Sequence, residues 1–240
     1  MKKRSVCVIG STGGIGSEIT KLFSEEGYSP IISMDLPSVN LDKLSKLYNS
    51  KKIVIDLEDH ESIKNAFNEG KKFIKEIDVF IFTAGVVENN NLQNISIEDW
   101  MRIININLTS LFLCVAQADP WIARNGRVVT LGSMAGHQGS FVTGPAYSAS
   151  KGGIEAFTKY LASYFSRREI TANCIAPGPV ETKMLDVHDK SIMEERKKLI
   201  PLKRFATPEE IANAALYFSS TKSGYTTGTV MSINAGMVMK

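Results

Sequence analysis

Tyr147 and Lys151 lie four positions apart in the sequence, a spacing that places two side chains on one face of a helix. A free phenol has a pKa of about 10, and a neighbouring cation lowers that value because it favours the phenolate. Upstream of the pair, Ser133 follows the apolar run that ends at Leu131. The spacing therefore predicts a tyrosine that is acidic enough to exchange protons near neutral pH.

A glycine-rich segment, Gly10-Ser11-Thr12-Gly13-Gly14-Ile15-Gly16, follows the first apolar run and precedes a helical pattern. A helix N-terminus presents free N–H groups and a positive dipole end to an anion, and glycines let the backbone approach a pyrophosphate closely. The spacing is Gly-x-x-x-Gly-x-Gly, which differs from the Gly-x-Gly-x-x-Gly of many dinucleotide enzymes. By itself the segment predicts a phosphate-binding turn, and a plain tight turn is the alternative.

Asp35 ends the second apolar run, nineteen residues after Gly16. A carboxylate there can accept hydrogen bonds from the adenosine ribose hydroxyls, and it repels a 2′-phosphate. A like-charge contact of this kind costs roughly 1–4 kcal/mol at an intermediate dielectric. Asp35 therefore predicts NAD(H) as the preferred cofactor over NADP(H). A helix cap or turn residue is the plainer interpretation of Asp35.

Short apolar runs alternate with longer helical patterns along the chain. This alternation predicts a parallel sheet with helices on both faces, and continuous β-branched runs fit strands that are covered on both sides. We expect one doubly wound α/β domain over residues 1–240, with an amphipathic insertion at about 182–205 as a substrate lid. The predicted strands are 6–9, 31–34, 53–55, 79–82, 128–131, 171–175 and 230–233, and a long helix is predicted over 100–118.

The composition, 43% hydrophobic and 22% charged residues, is that of a soluble globular protein. A net charge of +3 gives no reason to expect nucleic-acid binding. Cys7, Cys114 and Cys174 lie among apolar neighbours, which favours buried free thiols in a reducing compartment. The three histidines lack metal-ligand spacing, and we expect no membrane span, which needs ~20 apolar residues. We therefore expect a cytoplasmic protein without a metal.

The glycine-rich loop, Asp35, Ser133, Tyr147 and Lys151 occur in an order and spacing that resemble the short-chain dehydrogenase/reductase family. The resemblance covers nearly the whole chain and is closest in pattern to 3-oxoacyl-acyl-carrier-protein reductase-like members. It implies a Rossmann-like fold with a seven-stranded parallel sheet, a nicotinamide dinucleotide cofactor, and assembly as a homotetramer or homodimer. The family's active tetrad would correspond here to Asn107, Ser133, Tyr147 and Lys151.

The same resemblance implies which residues contact the cofactor. Asp56, at the end of the third predicted strand, resembles the residue that contacts adenine. Pro177 and Gly178 resemble the turn that borders the nicotinamide, with Val180 and Thr182 touching its carboxamide and the phosphates. The predicted cofactor-binding residues are Gly10, Ser11, Thr12, Gly14, Ile15, Gly16, Asp35, Asp56, Leu57, Ala84, Gly85, Tyr147, Lys151, Pro177, Gly178, Val180 and Thr182.

Three positions depart from the family's pattern. Ile9 stands where the family usually has Thr, Thr83 replaces the usual Asn, and Asn234-Ala235 replaces a common Asp-Gly. The first two positions usually support the phosphate loop and the central sheet by hydrogen bonds. Their change is expected to affect local rigidity more than chemistry, and the Thr83 hydroxyl can still donate.

The reaction implied by the resemblance is hydride transfer between nicotinamide C4 and a carbonyl or carbinol carbon. In reduction, Tyr147 would donate the proton and Ser133 would hydrogen-bond the carbonyl oxygen. Lys151 would lower the Tyr147 pKa and bind the nicotinamide ribose. Asn107 would hold a water that links Lys151 to solvent. Positioned proton transfer of this kind typically contributes ~10²–10⁴ in rate.

Two other classes of protein are alternatives. A serine hydrolase needs the motif Gly-x-Ser-x-Gly, and the order Gly132-Ser133-Met134-Ala135-Gly136 lacks that spacing. A non-catalytic dinucleotide-sensing protein would need no catalytic side chains, whereas all four tetrad positions are filled here.

The sequence leaves the substrate open. Arg124 and Arg168 match positions at which 3-oxoacyl-acyl-carrier-protein reductases present arginines to their acidic carrier, which favours a 3-oxoacyl thioester. Such reductases mostly use NADPH, so Asp35 favours the alternative, an NAD-dependent dehydrogenase of a sugar, polyol or other small secondary alcohol. The pocket is expected to be lined by the lid, residues 87–91, His137, Gln138, Phe141, Val142 and Thr143.

Two helical segments carry apolar residues beyond a single stripe, including Leu111, Phe112, Phe157 and Tyr160. Surplus apolar faces often mark subunit contacts, which agrees with the implied oligomer. Packing in the core is the alternative explanation.

Overall fold

The computed structural model describes residues 3–140, 142–183 and 190–239. Within these residues, seven strands form one parallel sheet in the order β3-β2-β1-β4-β5-β6-β7. The strands are β1 (Val6–Ile9), β2 (Ile31–Asp35), β3 (Lys51–Val54), β4 (Ile77–Phe82), β5 (Ile122–Leu131), β6 (Thr171–Pro177) and β7 (Val230–Ile233).

Helices connect successive strands and cover both faces of the sheet. Helices α1 and α9 pack together on one face, and α3, α5 and α7 lie on the other. The α-helices are α1 (Gly14–Glu25), α2 (Val39–Leu47), α3 (His60–Phe73), α4 (Ile97–Ile104), α5 (Ser110–Ala118), α6 (Met134–Gln138), α7 (Pro145–Phe165), α8 (Lys190–Leu199) and α9 (Pro208–Ser219).

Alternate residues of β1 belong to two different apolar cores. Val6 and Val8 pack in the cluster that contains α1 and α9, whereas Cys7 and Ile9 pack in the cluster that contains α3, α5 and α7. All four residues are fully buried, which is why the strand is a continuous apolar run rather than an alternating one. The predicted Rossmann-like, doubly wound α/β fold with a seven-stranded parallel sheet is confirmed.

Several strand boundaries differ from the prediction by one to six residues, and the starts of β3 and β5 have a clear structural reason. β3 begins at Lys51 instead of residue 53, because its register pairs Lys51 with Ile32 at the edge of the sheet. The Lys51 side chain forms an ion pair with Glu69 there, so a polar residue is tolerated. β5 begins at Ile122, six residues before the predicted start, because Ile122 pairs with Ile77 across an irregularity in the ladder.

The predicted helix over 100–118 consists of α4, a π-helical turn at Asn105–Thr109, and α5. Contrary to the sequence expectation, the stretch Ile97–Trp121 is long and apolar enough to cross a membrane, by length and composition alone. In this fold, however, 44% of its most apolar window is buried, and it packs against α3 and α7. We therefore interpret it as part of the helical layer that packs with α3 and α7 in this fold.

The region predicted as a lid, 182–205, packs against the C-terminal segment. Met193, Ile200 and Phe205 form a small apolar cluster with Ala235 and Met237. Residues 184–189 of the predicted lid lie outside the described residues. The role of this region as a lid stays a prediction.

The strand order reverses between β1 and β4, and this reversal determines where a ligand can bind. In open α/β sheets the connections leave opposite sides of the sheet at this point, and a crevice forms beyond the carboxyl ends of the strands. Gly10 follows β1, Thr83 follows β4, Gly132 follows β5 and Gly178 follows β6. The fold therefore brings the predicted site residues to one edge of the sheet.

Candidate active site

A cavity of about 1090 Å³ opens at the carboxyl edge of the sheet. It has a phosphate-loop end beside α1 and a substrate end beside α6 and α7. Its lining includes these predicted cofactor contacts: Gly10, Thr12, Gly14, Ile15, Gly16, Asp35, Asp56, Leu57, Ala84, Gly85, Tyr147, Lys151, Pro177, Gly178, Val180 and Thr182.

The remaining predicted contact, Ser11, lies elsewhere. Its side chain is fully buried, and its Oγ lies 3.4 Å from the carbonyl oxygen of Met34, to which it donates. Ser11 thus ties the loop to β2, and its side chain does not line the cavity. A serine between glycines gives no sequence signal for this inward orientation.

The glycines of the loop allow close packing that a side chain would prevent. Gly10 has a φ of +80°, and a Cβ there would lie 2.6 Å from the backbone nitrogen of Ala84. A Cβ at Gly16 would lie 2.1 Å from the Gly10 carbonyl oxygen, and one at Gly14 would lie 2.5 Å from Cγ2 of Thr182. The first turn of α1 has neither a side-chain cap nor an acidic residue. Its N–H groups are therefore available to an anion.

Thr83 supports this loop, as expected from its hydroxyl. Its Oγ1 donates to the carbonyl oxygens of Ile9, at 2.8 Å, and Gly10, at 3.1 Å. Its backbone N–H also donates to the Ile9 carbonyl oxygen. Ile9, the other position near the loop that departs from the family's pattern, places its side chain in the core. Of these two residues, only Thr83 therefore supplies a hydroxyl group to the loop.

Asp35 contacts the loop directly. Its Oδ2 accepts hydrogen bonds from the Thr12 N–H at 2.7 Å and from the Thr12 hydroxyl at 2.8 Å. Its Oδ1 accepts from the Leu36 N–H at 2.8 Å. A carboxylate oxygen can accept about two hydrogen bonds, so Oδ1 keeps acceptor capacity on the cavity side.

Ser133, Tyr147 and Lys151 converge at the substrate end of the cavity. Ser133 is the N-cap of α6, and its Oγ accepts from the Ala135 N–H at 3.2 Å. Tyr147 and Lys151 lie on consecutive turns of α7, with the Lys151 Nζ 5.6 Å from the centre of the Tyr147 ring. The Lys151 Nζ donates to the Leu131 carbonyl oxygen at 2.8 Å.

Asn107 lies in the π-helical turn and is fully buried. Its Oδ1 accepts from the Val86 N–H at 2.8 Å, and its Nδ2 donates to the Val86 carbonyl oxygen at 2.9 Å and to the Ser150 Oγ at 3.0 Å. Beside it, a Cβ at Gly85 would lie 3.3 Å from both the Asn107 Oδ1 and the Lys151 Nζ. Asn107 and Lys151 therefore lie on either side of Gly85, but Asn107 does not line the cavity that the other three predicted tetrad residues share.

The expected direction of the Tyr147 pKa is wrong for this structure. Burial raises the pKa of the phenol above its ordinary value of 10.0, a hydrogen bond with Ser133 lowers it in part, and the Glu88 carboxylate raises it. Burial also lowers the pKa of Lys151 from 10.5 to about 8, against the charges of Cys174 and Glu155. The Lys151 amine lies over the Tyr147 ring and donates to a carbonyl oxygen. Its lowering effect on the phenol pKa is therefore smaller than the rise that burial of the phenol causes.

Only some of the residues that were predicted to line the substrate pocket line the cavity. Val87, Gln138, Val142 and Thr143 line the cavity, and Phe141 lies outside the described residues. His137 turns away, and its Nδ1 lies 2.8 Å from the Glu155 Oε2 in a buried pair. This pair borders a second cavity of about 580 Å³. His137 lies in the last turn of the short helix α6, and the sequence alone does not indicate which way that side chain turns.

Arg124 and Arg168 are not brought to the cavity. Arg124 lies near the start of β5 and Arg168 follows α7, so both are at the amino-terminal edge of the sheet, opposite the site. Arg124 pairs with Glu169 at 3.2 Å. Arg168 pairs with Asp119 and lies over the Phe165 ring. Within one chain they therefore do not border the mouth of the substrate end.

Sequence reasoning gave no specific role to two carboxylates that flank the tyrosine–lysine pair, although Glu88 lies in the segment 87–91 that was predicted to line the pocket. Glu155 lies one turn beyond Lys151 on the same face of α7, a spacing that could have indicated it. Glu88 comes from the loop after β4, and its Oε1 accepts from the Tyr147 N–H at 3.1 Å. No periodic pattern marks Glu88, because its proximity arises only from the tertiary fold.

Comparison with known proteins gives consistent results along the whole chain. A family model described as enoyl-(acyl carrier protein) reductase matches residues 9–238. The chain is 33% identical to the 3-oxoacyl-[acyl-carrier-protein] reductase FabG of Aquifex aeolicus, covering 96% of this chain and 95% of that protein. It is 32% identical to the acetoacetyl-CoA reductase of Cupriavidus necator, covering 100% of both.

The fold is also similar to solved structures. A 3-oxoacyl-[acyl-carrier protein] reductase from Brucella melitensis with bound NAD matches with a TM-score of 0.91 and 26% identity. The match covers 100% of this chain and 92% of that one. The arrangement of the strands around the cavity is thus shared with this solved structure.

Proposed function

The chain belongs to the short-chain dehydrogenase/reductase family, and we propose that it reduces 3-oxoacyl thioesters with NADH as the hydride donor. The observation on which this rests most is the convergence of Ser133, Tyr147 and Lys151 on one cavity beside a glycine-lined loop. Each residue has an ordinary structural explanation, but their meeting at the switch point of the sheet supports chemistry on a bound dinucleotide.

The loop after β1 fits a nicotinamide dinucleotide. The uncapped first turn of α1 offers N–H groups to a pyrophosphate, and Gly10, Gly14 and Gly16 let the surrounding backbone pack closely. Asp56 and Leu57 line the same cavity where the adenine would lie, and Pro177 and Gly178 line it at the nicotinamide end. When bound, the cofactor supplies the hydride.

Four residues would then bind the substrate oxygen and transfer a proton to it. Tyr147 donates a proton to the substrate oxygen, and Ser133 hydrogen-bonds that oxygen as negative charge develops. Lys151 binds the nicotinamide ribose and returns a proton to the phenol. Both N–H groups of the Asn107 Nδ2 already donate to protein acceptors. A water beside Lys151 would therefore have to donate to a carbonyl oxygen of Asn107, in the main chain or the side chain. Residues 182–205 would close over the substrate as a lid.

The cofactor preference is proposed from Asp35. The free acceptor capacity on its Oδ1 suits a ribose hydroxyl, whereas a 2′-phosphate would meet a carboxylate that is fixed by Thr12. We expect kcat/KM with NADH to exceed that with NADPH at least tenfold, which corresponds to roughly 1.4 kcal/mol. Initial rates with both cofactors test this, and a preference for NADPH would contradict it.

The substrate class is proposed from the apolar rim of the cavity. Met134, Val142, Leu199 and Met237 line the substrate end, and Leu199 is 76% exposed although it borders the cavity. An acyl chain would cover this apolar surface, which supports a 3-oxoacyl thioester. Two of the similar proteins are named as reductases of such thioesters.

One observation favours the second candidate, a dehydrogenase of a sugar, polyol or other small secondary alcohol. Gln138, Ser140 and Thr143 line the same end of the cavity. The Thr143 Oγ1 is buried and has no hydrogen-bond partner among the described residues. A substrate with several hydroxyl groups would satisfy it.

Carrier recognition through Arg124 and Arg168 is proposed only as part of an assembly. Both arginines lie at the far edge of their own chain, so a carrier would contact them while its acyl group enters the cavity of another subunit. A row of rings on α5 and α7, in which the exposed Phe112 and Tyr160 flank the half-buried Phe157, supports a homotetramer or homodimer. All three cysteines are free and buried, which suits the reducing cytoplasm.

A substrate screen with both dinucleotides in parallel tests the function. An acetoacetyl thioester on coenzyme A and on acyl carrier protein is offered with NADH or NADPH, whereas sugars, polyols and simple secondary alcohols are offered with NAD⁺ or NADP⁺, because their oxidation needs a hydride acceptor. We expect loss of reduced-nicotinamide absorbance with the thioesters. Turnover confined to polyols would favour the second candidate, and tight dinucleotide binding without turnover would favour a non-catalytic sensor.

A further inference from the structure

The Glu88 side chain contacts the N-terminus of the helix that carries Tyr147. Its Oε1 accepts a hydrogen bond from the Tyr147 N–H at 3.1 Å. This N–H belongs to the first turn of α7, where backbone donors have no partner within the helix, and α7 has no side-chain cap at Gly144. Glu88 therefore supplies the missing cap from a different part of the chain.

A second contact fixes the same junction. The Gly144 N–H donates to the Glu88 carbonyl oxygen at 2.9 Å. A Cβ at Gly144 would lie 2.2 Å from the Glu88 Oε1 and 2.7 Å from the Asn90 carbonyl oxygen, so glycine is needed for the loop to come this close. The backbone and the side chain of Glu88 together anchor the start of α7.

Within the part of the chain that the structure describes, only one oxygen of this carboxylate has a hydrogen-bond partner. The Glu88 Oε2 is buried and has no hydrogen-bond partner among the described residues, and no ion pair to Glu88 occurs there. Because Oε2 is removed from water, the field of the carboxylate is less screened than at the surface. A carboxylate near a phenol disfavours the phenolate, because two negative charges would then lie close together.

Three other charged groups near this part of α7 have partners of their own. Arg102 on α4 pairs with Glu58, Asp99 accepts from Asn90, and the Lys151 Nζ donates to a carbonyl oxygen. The charged or titratable groups on elements that pack against this part of α7 are Lys151, Glu155 and Lys159 on α7 itself, His137 on α6, Cys174 on β6, and Glu98, Asp99 and Arg102 on α4.

We propose that Glu88 is a positioning residue that anchors the start of α7 and keeps the Tyr147 hydroxyl protonated, which suits the enzyme to donate a proton in reduction. This inference rests on the proposed role of Tyr147 as the proton donor. The direction of the Tyr147 pKa agrees: burial raises it, and the Glu88 charge raises it further. The helix cap and the electrostatic effect come from the same side chain.

Glu88→Gln tests the proposal, because glutamine keeps an oxygen acceptor for the Tyr147 N–H and removes the charge. We expect the basic limb of the pH–rate profile for reduction to move down by roughly one pH unit, with the plateau kcat changed less than about twofold. Glu88→Asp, which keeps the charge, should leave the limb near its native position. Glu69→Gln, on the outer side of α3, is the matched control.

A measurement without turnover separates this inference from the proposed function. In protein labelled with ¹³C at tyrosine Cζ, the Tyr147 resonance is assigned by its loss in Tyr147→Phe, and its titration is followed in the native chain and in both Glu88 variants. A lower midpoint in Glu88→Gln alone supports the proposal. An unmoved midpoint, or equal midpoints in Glu88→Gln and Glu88→Asp, overturns it even if the enzyme is active.

Discussion

Lys151 shows at the scale of one residue how burial controls the chemistry of the site. Its amine is buried, donates to the Leu131 carbonyl oxygen and lies over the Tyr147 ring. Removal from water disfavours the ammonium, which lowers the pKa of the amine to about 8. A group that titrates near pH 8 can both hold and release a proton under ordinary conditions, which suits it to resupply the phenol.

Lys151→Met should stabilise the fold at neutral pH. Below pH 8 the native chain holds a buried ammonium, and between about 8 and 10.5 the unfolded chain binds a proton that the native chain has lost. Stability of the native chain therefore rises with pH through that window, by roughly 3 kcal/mol in all. Urea unfolding at pH 7 and at pH 9.5 measures this effect.

Loss of the hydrogen bond to the Leu131 carbonyl oxygen offsets about 1 kcal/mol of this stabilisation. We therefore expect the free energy of unfolding of Lys151→Met to exceed that of the native chain by about 2 kcal/mol at pH 7, and by less at pH 9.5. Lys159→Met, at an exposed position on the same helix, is the control and should show neither effect. A Lys151→Met chain that is less stable than the native one at pH 7 would contradict this account.

Thr83→Val removes a hydroxyl and keeps the shape of the side chain. The change deletes the bonds to the Ile9 and Gly10 carbonyl oxygens. Both oxygens keep a backbone donor, so the loss of stability should be modest, about 1 kcal/mol. We expect KM for the dinucleotide to rise severalfold with little change in kcat. Thr83→Ser, which retains the donor, is the matched control, and an equal KM in both variants would show that the hydroxyl does not order the loop.

At the residue scale, the sequence predicted which groups meet but not how they act on each other. The spacing of Tyr147 and Lys151 was enough to place both on one helix face. The direction of the phenol pKa was wrong, because it depends on burial and on Glu88, which comes from a distant loop. Similarly, the side-chain orientations of His137 and Ser11 depend on packing partners that no local pattern identifies.

Contacts between helices set the site at the scale of elements. Ser133 is the cap of α6, and Tyr147 belongs to α7, so the packing of these two helices determines how far apart their hydroxyl groups are. Gly136 and Gly152 form the contact: a Cβ at Gly136 would lie 2.7 Å from the Gly152 backbone nitrogen. The buried His137–Glu155 pair joins the same two helices.

Gly136→Ala should separate α6 from α7 and impair catalysis more than folding. The displaced Ser133 would no longer meet the substrate oxygen, and misplacement of about 1 Å can reduce turnover on the order of 10²-fold. Gly152→Ala is the matched control, since a Cβ there would lie 3.3 Å from the Gly136 carbonyl oxygen and needs only a small adjustment. Measurement of kcat and Tm for both variants tests this, and equal kcat values would contradict it.

The elements themselves were largely predictable. Continuous apolar runs indicated all seven strands, because the central strands are buried on both faces, although the edge strands β3 and β7 are only partly covered. The π-helical turn that contains Asn107 was not predictable, because Asn105–Thr109 has the composition of an ordinary helix segment. Its extra residue per turn is a tertiary adaptation, and such turns are frequent at functional sites.

At the scale of the whole molecule, sheet topology gathers residues that are distant in sequence. The reversal of strand order between β1 and β4 joins a loop near residue 12 to a helix near residue 147. The same topology separates Arg124 and Arg168 from the cavity, because they lie at the other end of β5 and α7. Sequence positions alone matched these arginines to the family, and only the fold shows the edge on which they lie.

The exposed rings on α5 and α7 predict self-association. Phe112 is 54% exposed and Tyr160 is 59% exposed, and both pack against Phe157 in a continuous aromatic row. We expect the double variant Phe112→Ser/Tyr160→Ser to shift the native oligomer toward smaller species in sedimentation velocity. Tyr225→Ser, at a fully exposed site on another surface, should leave the distribution unchanged. A native chain that sediments as a monomer at micromolar concentration would exclude this interface.

The proposed enzyme depends on proton donation by Tyr147 to a carbonyl beside a bound dinucleotide. The most direct test compares the native chain with Tyr147→Phe in NADH oxidation by an acetoacetyl thioester, with NADH affinity measured separately by fluorescence titration. We predict that the variant binds NADH as the native chain does and loses ~10²–10⁴ in turnover. A Tyr147→Phe chain that binds NADH and reduces the thioester at a near-native rate would contradict the account.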